Sequence, residues 1–286
     1  MNLWRLPSIA IAPDTIFYIG SYPVTNTFLC TWICIIVLFV LCYFGVRRRD
    51  MIPRGFQNAF EWMIEALLNL VEGIAGKEKG RKFFPLVAAF FLFIFLGNMM
   101  DVIPGIDTIG TISPGVHASS FWLTGNLSNQ IVPWLRPPTT DINLNLAMAL
   151  VSVVAAQIFG FTTLGAGEQI SKYLNFRALF THGPMGIVEF FVGILEIISE
   201  LGRLISFSFR LFGNIFAGSI LLAIFAFLIP VLPDIIFIPF EIFIAGIQAF
   251  VFAFLTLLFM QQATIGHGHD EGEHAGGERV TDIAVD

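Results

Sequence analysis

The stretch SFSFRLFGNIFAG, residues 206–218, sets an arginine inside an apolar segment with no acid beside it. Between 204 and 229 Arg210 is the only charged residue. An ionisable group at the centre of a bilayer costs at least about 2.5–3.5 kcal/mol, so such a residue marks function and calls for a partner. Outward from Arg210 the apolar run extends over residues 186–229. As one helix it would measure about 66 Å, against a hydrocarbon core about 30 Å thick that about 20 residues can cross. No proline or polar turn interrupts its interior, and helical periodicity continues through Gly202 and Gly213. One long, steeply tilted helix is therefore expected here, in preference to two short crossings.

The whole chain is of the same character. Of its 286 residues 56% are hydrophobic and 13% charged, with a mean hydropathy of +0.80, more apolar surface than a soluble domain can bury. Further apolar runs cover residues 24–46, 83–104, 142–165 and 235–263. The fold class expected is an all-α polytopic membrane protein of five helices, the last two long and tilted. A helix over residues 56–75 is too polar to span. Phe56, Phe60, Met63, Leu67, Leu70, Val71 and Ile74 form one stripe and Glu61, Glu65, Asn69 and Glu72 face the other way, the pattern of an amphipathic interfacial helix. Either its own bundle or a partner protein can cover that helix. Residues 1–23 form an outer segment, 24–263 a single membrane domain, and the glycine-rich, polar residues 264–286 a disordered cytoplasmic tail.

Basic residues set the orientation. Arg47, Arg48, Arg49, Arg54, Lys77, Lys79, Arg81 and Lys82 lie between the first two runs, and Lys172 and Arg177 between the third and fourth. Those loops should be cytoplasmic, which puts the N-terminus outside and the C-terminus inside. The turn after the fourth run is expected at Pro230, Pro233 and Asp234. No basic n-region followed by an h-region and cleavage site opens the chain, so no cleaved signal is expected. Cys30, Cys34 and Cys42 share one apolar run and read as small hydrophobes. His267, His269 and His274 have nothing to hold them in a metal site, and neither a metal nor a cofactor is expected. No basic stripe points to nucleic acid.

On the fourth run Glu196, Ser199, Arg203, Ser206, Arg210, Asn214 and Ala217 fall within about 40° of one line, with Glu200 at its margin and Ser219 opposite. Arg203 has Glu196 and Glu200 within reach; Arg210 has no acid within four residues. The fifth run sets Glu241 and Gln248 seven residues apart on one stripe that Gln262 continues. Asp141, Asn143 and Asn145 open the third run, and Asn98 and Asp101 close the second. These groups either cap helices and lie at the interface or, with Glu241, line a water-filled access from outside. A buried salt bridge between Glu241 and Arg210 is the simplest account closed within the chain, but antiparallel helices set the two at different depths.

The blocks ELGRLISFSFRLFGNIFAGSILL and IQAFVFAFLTLLFM, preceded by DINLNLAMAL and PVTNTFLCTW, resemble subunit a of F-type ATP synthases, in order and over nearly the whole chain. The resemblance implies a proton-translocating stator, itself without nucleotide chemistry, in a bacterial plasma membrane. Its partners would be the c-ring, the subunit b peripheral stalk, the remaining synthase subunits and the lipid bilayer. It implies that Arg210 is the essential charge facing the ring carboxylates. It implies an outer proton path through Glu241, Gln248, Asp141 and Asn145, and a cytoplasmic path through Glu196, Ser206, Asn214 and Glu200. Ser219 stands where many relatives carry an acid, so the outer path is expected to depend on Glu241. The chain lacks the GxxxxGK phosphate loop, which leaves ATP chemistry to partners. A self-contained proton-coupled secondary transporter or channel would instead show an internal repeat and paired broken helices, and the sequence has neither; a purely structural scaffold would leave the polar track unexplained.

Overall fold

The computed structural model describes residues 13–47, 55–103, 109–112, 131–165, 167, 169, 184–228 and 232–265. The chain is an all-α polytopic membrane protein, and five long helices stand out among the described residues: α1 (Asn26–Arg47), α2 (Phe56–Val102), α3 (Ile142–Leu164), α4 (Pro184–Leu228) and α5 (Leu232–Ala263). Segments of α1, α2, α3 and α5 are long and apolar enough to cross a membrane. α4 continues as one helix of 45 residues through Gly202 and Gly213. Both glycines face open space, so neither marks a break. Two short antiparallel strand pairs stand outside the helical pattern, β1 (Thr15–Ile19) with β2 (Tyr22–Thr25) and β3 (Gly110–Ile112) with β4 (Ile131–Pro133).

Two boundaries differ from the sequence reading. Residues 77–82, expected as a polar loop, are helical, because the interfacial helix and the second span join at a single non-helical residue, Gly76, with φ 76° and ψ 162°. That left-handed φ is one glycine adopts without strain. Across the corner Arg81 Nε pairs with Glu72 Oε1 at 2.9 Å, and a Cβ on Gly80 would stand 3.1 Å from Glu72 Cα. At the other boundary, Pro233 and Asp234 lie inside the first turn of α5 and not before it, where a proline removes no needed hydrogen bond. Lys172, Arg177 and the three tail histidines lie outside the described residues.

Contacts group the chain into two units, Met1–Leu150 with Ile205–Leu255, and Val151–Leu204 with Thr256–Asp286. In the first, the amphipathic stripe of α2 turns inward: Leu67 and Val71 are buried and Glu61 and Glu65 exposed. The absence of a side chain at Gly45 admits the Phe60 ring, since a Cβ there would lie 2.6 Å from it. Cys30 and Cys34 are buried free thiols whose Sγ atoms approach Met100 Sδ at 3.5 and 3.3 Å. Phe207, Leu211 and Ile215, spaced four apart on α4, are buried, and the Phe252 ring of α5 sits 5.0 Å from Phe207 and 5.2 Å from Phe90. In the second unit, the buried Ser152 and Thr256 hydroxyls lie 2.9 Å apart and join α3 to α5, beside buried Leu257 and Met260. α3 ends at Gly165, whose φ of 88° is the left-handed termination that glycine serves.

Candidate functional site

The packing of α4 in the first unit decides where Arg210 points. With Phe207, Leu211 and Ile215 turned inward, Ser206, Arg210, Gly213 and Ala217 come to the surface, and Asn214 is half-buried. Ser206, Gly213 and Ala217 on that face are small, and the large Phe209 beside Arg210 is exposed with them. Among the described residues no hydrogen bond or ion pair engages Arg210.

On the inner side of the same segment lies a cavity of about 210 Å³ whose polar lining is Asn98 and Asp101 from α2, Asn214 from α4 and Glu241 from α5. Both Glu241 carboxyl oxygens are buried. Oε1 lies 3.1 Å from the position a Cβ on Gly218 would take, so Gly218 supplies the room for the carboxyl group. Asn98 is fully buried; its Oδ1 accepts from the Thr139 hydroxyl at 2.9 Å, and its Nδ2 has no hydrogen-bond partner among the described residues. Gln248 is buried, and its Nε2 likewise meets no partner among them. The geometry thus gathers Asn98, Asp101 and Asn214 around Glu241. Asn214 lines this cavity, although the resemblance groups it with Glu196 and Glu200.

Asp141 and Asn145 are not in that lining. Asp141 caps α3: its Oδ1 accepts from the Asn143 N–H at 2.9 Å, the side-chain bond an N-cap makes, and its Oδ2 accepts from the Thr27 hydroxyl at 3.1 Å. Asn145 Nδ2 donates to the Thr139 carbonyl at 2.7 Å. Thr139 therefore receives Asn145 on its backbone and supports Asn98 with its side chain, which sets Asn145 one residue behind the cavity wall. The Ser219 hydroxyl donates to the Phe216 carbonyl on its own helix at 3.1 Å.

The second unit holds a separate cluster. Arg203 Nη2 approaches Glu196 Oε1 at 3.6 Å, and the guanidinium lies 4.9 Å from the centre of the Phe259 ring. Gln157 Nε2 donates to Glu200 Oε1 at 2.6 Å, and Gln169 Nε2 donates to Gln157 Oε1 at 2.9 Å. Gln157 and Gln169 escaped the sequence reading. They carry no charge, and Gln157 lies in the apolar part of α3, away from the Asn143 and Asn145 amides that open the helix. The one available signal was that Gln157 sits mid-run, where a polar side chain needs a partner.

A model of the family described as ATP synthase A chain matches residues 28–261. The chain is 32% identical over 259 residues to the ATP synthase subunit a of Moorella thermoacetica, covering 91% of this chain and 99% of that one. Against the subunit a of Helicobacter pylori it is 29% identical over 263 residues, 90% of this chain and 98% of the relative. For Oceanobacillus iheyensis the figures are 28% over 239 residues, 80% and 86%.

Proposed function

Because the chain belongs to the ATP synthase A chain family, we propose that it is the proton-translocating stator of an F-type ATP synthase, set in a bacterial plasma membrane against a rotating c-ring. The observation that carries this reading is the exposed Arg210, engaged by no acid among the described residues. A guanidinium stays protonated at any physiological pH. It can hold an ionised ring carboxylate inside the membrane, and its attraction favours loss of that carboxylate's proton. Ser206, Gly213 and Ala217 let a partner helix approach closely, as small residues do at membrane helix contacts.

Protons reach the ring from outside through the Glu241 cavity, with Gln248 further along α5, with Asn145 bracing the wall through Thr139 and with Asp141 capping α3 beside it. They leave inside through Glu196, Glu200 and Ser206. Arg210 blocks direct passage between the two offset paths, so flow requires the ring to turn. Each charge that crosses yields about 2.3 kcal/mol per 100 mV. The length of α4, 45 residues, needs a strong tilt to fit a core about 30 Å thick, and a tilted flank touches successive ring helices. Basic loops place the N-terminus outside and the C-terminus inside. Subunit b and the remaining synthase subunits complete the stator.

Contact with the ring is testable in native membranes. Gly213→Cys, on the exposed face, should cross-link to the small subunit that co-purifies with the chain, and Leu211→Cys, on the buried face, should not. A chain that purifies alone, with equal labelling at both positions, would rule out the stator reading in favour of a self-contained transporter.

A further inference from the structure

The amide chain in the second unit has a direction. Gln169 donates to Gln157, and Gln157 donates to Glu200. Turning the Gln157 amide over would set its carbonyl against a carboxylate and its NH₂ against the NH₂ of Gln169, so the two contacts lock each other. Gln169 is fully buried, and its Oε1 has no hydrogen-bond partner among the described residues, which leaves an acceptor at the head of the chain. Such amides are too weakly acidic to pass protons on. What they fix is orientation: one oxygen of Glu200 is engaged, and the plane of its carboxyl group is set.

The backbone makes room for this arrangement. The chain reverses at Gly165, and the Gln169 N–H donates to the Gly165 carbonyl at 3.2 Å, which returns Gln169 to the flank of α3. There it lies over Gly160, where a Cβ would stand 2.7 Å from Gln169 Nε2 and 3.0 Å from the Ala263 carbonyl oxygen. Any side chain at 160 therefore displaces the buried amide. Beside Glu200 a gap of about 10 Å³, lined by Gln157, Arg203, Phe259 and Gln262 among others, is close to the smallest space a water occupies.

Resting on the stator reading, we propose that Gln157 and Gln169, seated by Gly160, are positioning residues that set Glu200 as the carboxylate handing protons to the cytoplasmic side, with Glu196 held as the counter-ion of Arg203. Among the described residues Arg203 shares the lining of this gap with Glu200 and pairs with Glu196 on the same helix; α3 brings Gln157 and α5 brings Phe259 and Gln262, none of which titrates. Two acids one turn apart thus meet different groups, Arg203 for Glu196 and the oriented Gln157 amide for Glu200.

The test uses the whole synthase in membrane vesicles. Gln157→Leu, Gln169→Met and Gly160→Ala should each slow proton-driven synthesis per assembled complex about tenfold, the scale of one charge-assisted hydrogen bond. In a Glu200→Gln background the same changes should add less than about twofold, the sign of a shared route. The infrared carboxylate band of Glu200, isolated by difference against Glu200→Gln, should move in Gln157→Leu and in Gln169→Met. Gln169→Met keeps the side chain's length, so it serves if Gln157→Leu fails to assemble. Losses that multiply in the Glu200→Gln background, or an unmoved band, would overturn the brace. Arg210→Ala in the same vesicles separates the two levels: if it still makes ATP, the stator reading itself fails, whereas if it is dead and the band is unmoved, only the brace fails.

Discussion

Arg203 closes on Glu196 at 3.6 Å and lies 4.9 Å over the Phe259 ring, so the first of the two arginines on α4 is satisfied within its own unit. Both partners of the ion pair keep about a quarter of their side chains exposed. The pair and the ring together should contribute about 1–2 kcal/mol. Arg203→Ala should therefore lower the melting temperature of the detergent-extracted complex by a few degrees and leave synthesis per assembled complex within about threefold of normal. Loss of all synthesis with assembly intact would move Arg203 into the proton path.

Gly218 is the wall against which Glu241 sits. Its substitution by alanine places a methyl group 3.1 Å from Glu241 Oε1, tighter than carbon and oxygen ordinarily approach. Gly218→Ala should cut passive proton conduction through the membrane sector about tenfold, and Gly218→Val further, by misplacing the carboxyl group. Conduction unchanged in both would show that the position of Glu241 is immaterial.

Glu241 and Ser219 should respond unequally to removal. The Ser219 hydroxyl is spent on its own helix, and Ser219→Ala should change proton intake by less than about twofold. Glu241→Gln removes an acid from the cavity and should cost about a hundredfold or more, the range that positioned acid–base groups supply. Proton-uptake rates in vesicles of both variants decide the matter; equal effects would take Glu241 off the path.

Asp141→Ala removes a helix cap and the Thr27 contact and should destabilise the chain by about 1 kcal/mol. The amount of assembled complex should fall while turnover per complex stays within about twofold. A large loss of turnover at full assembly would return Asp141 to direct proton transfer.

Much of this architecture is readable from periodicity. The unbroken α4 follows from apolar spacing that runs through Gly202 and Gly213, and both glycines face open space. What escapes the sequence depends on chain reversals. Whether residues 77–82 loop or coil turns on one residue, Gly76, and on an Arg81–Glu72 pair nine positions apart. The Gln169–Gln157 contact depends on a glycine turn that brings two uncharged side chains together, and neither composition nor spacing registers it. The polar track of α4 was legible as a line of side chains. Its division into an exposed Arg210 and a cavity-lining Asn214 was not, because that depends on which flank Phe207, Leu211 and Ile215 bury.

The account rests on Arg210 meeting acids carried by another molecule. The most direct measurement is proton-driven ATP synthesis by Arg210→Ala complexes in membrane vesicles, normalised to the amount of assembled synthase. Abolished synthesis with assembly intact is the predicted result; synthesis at the normal rate would contradict it.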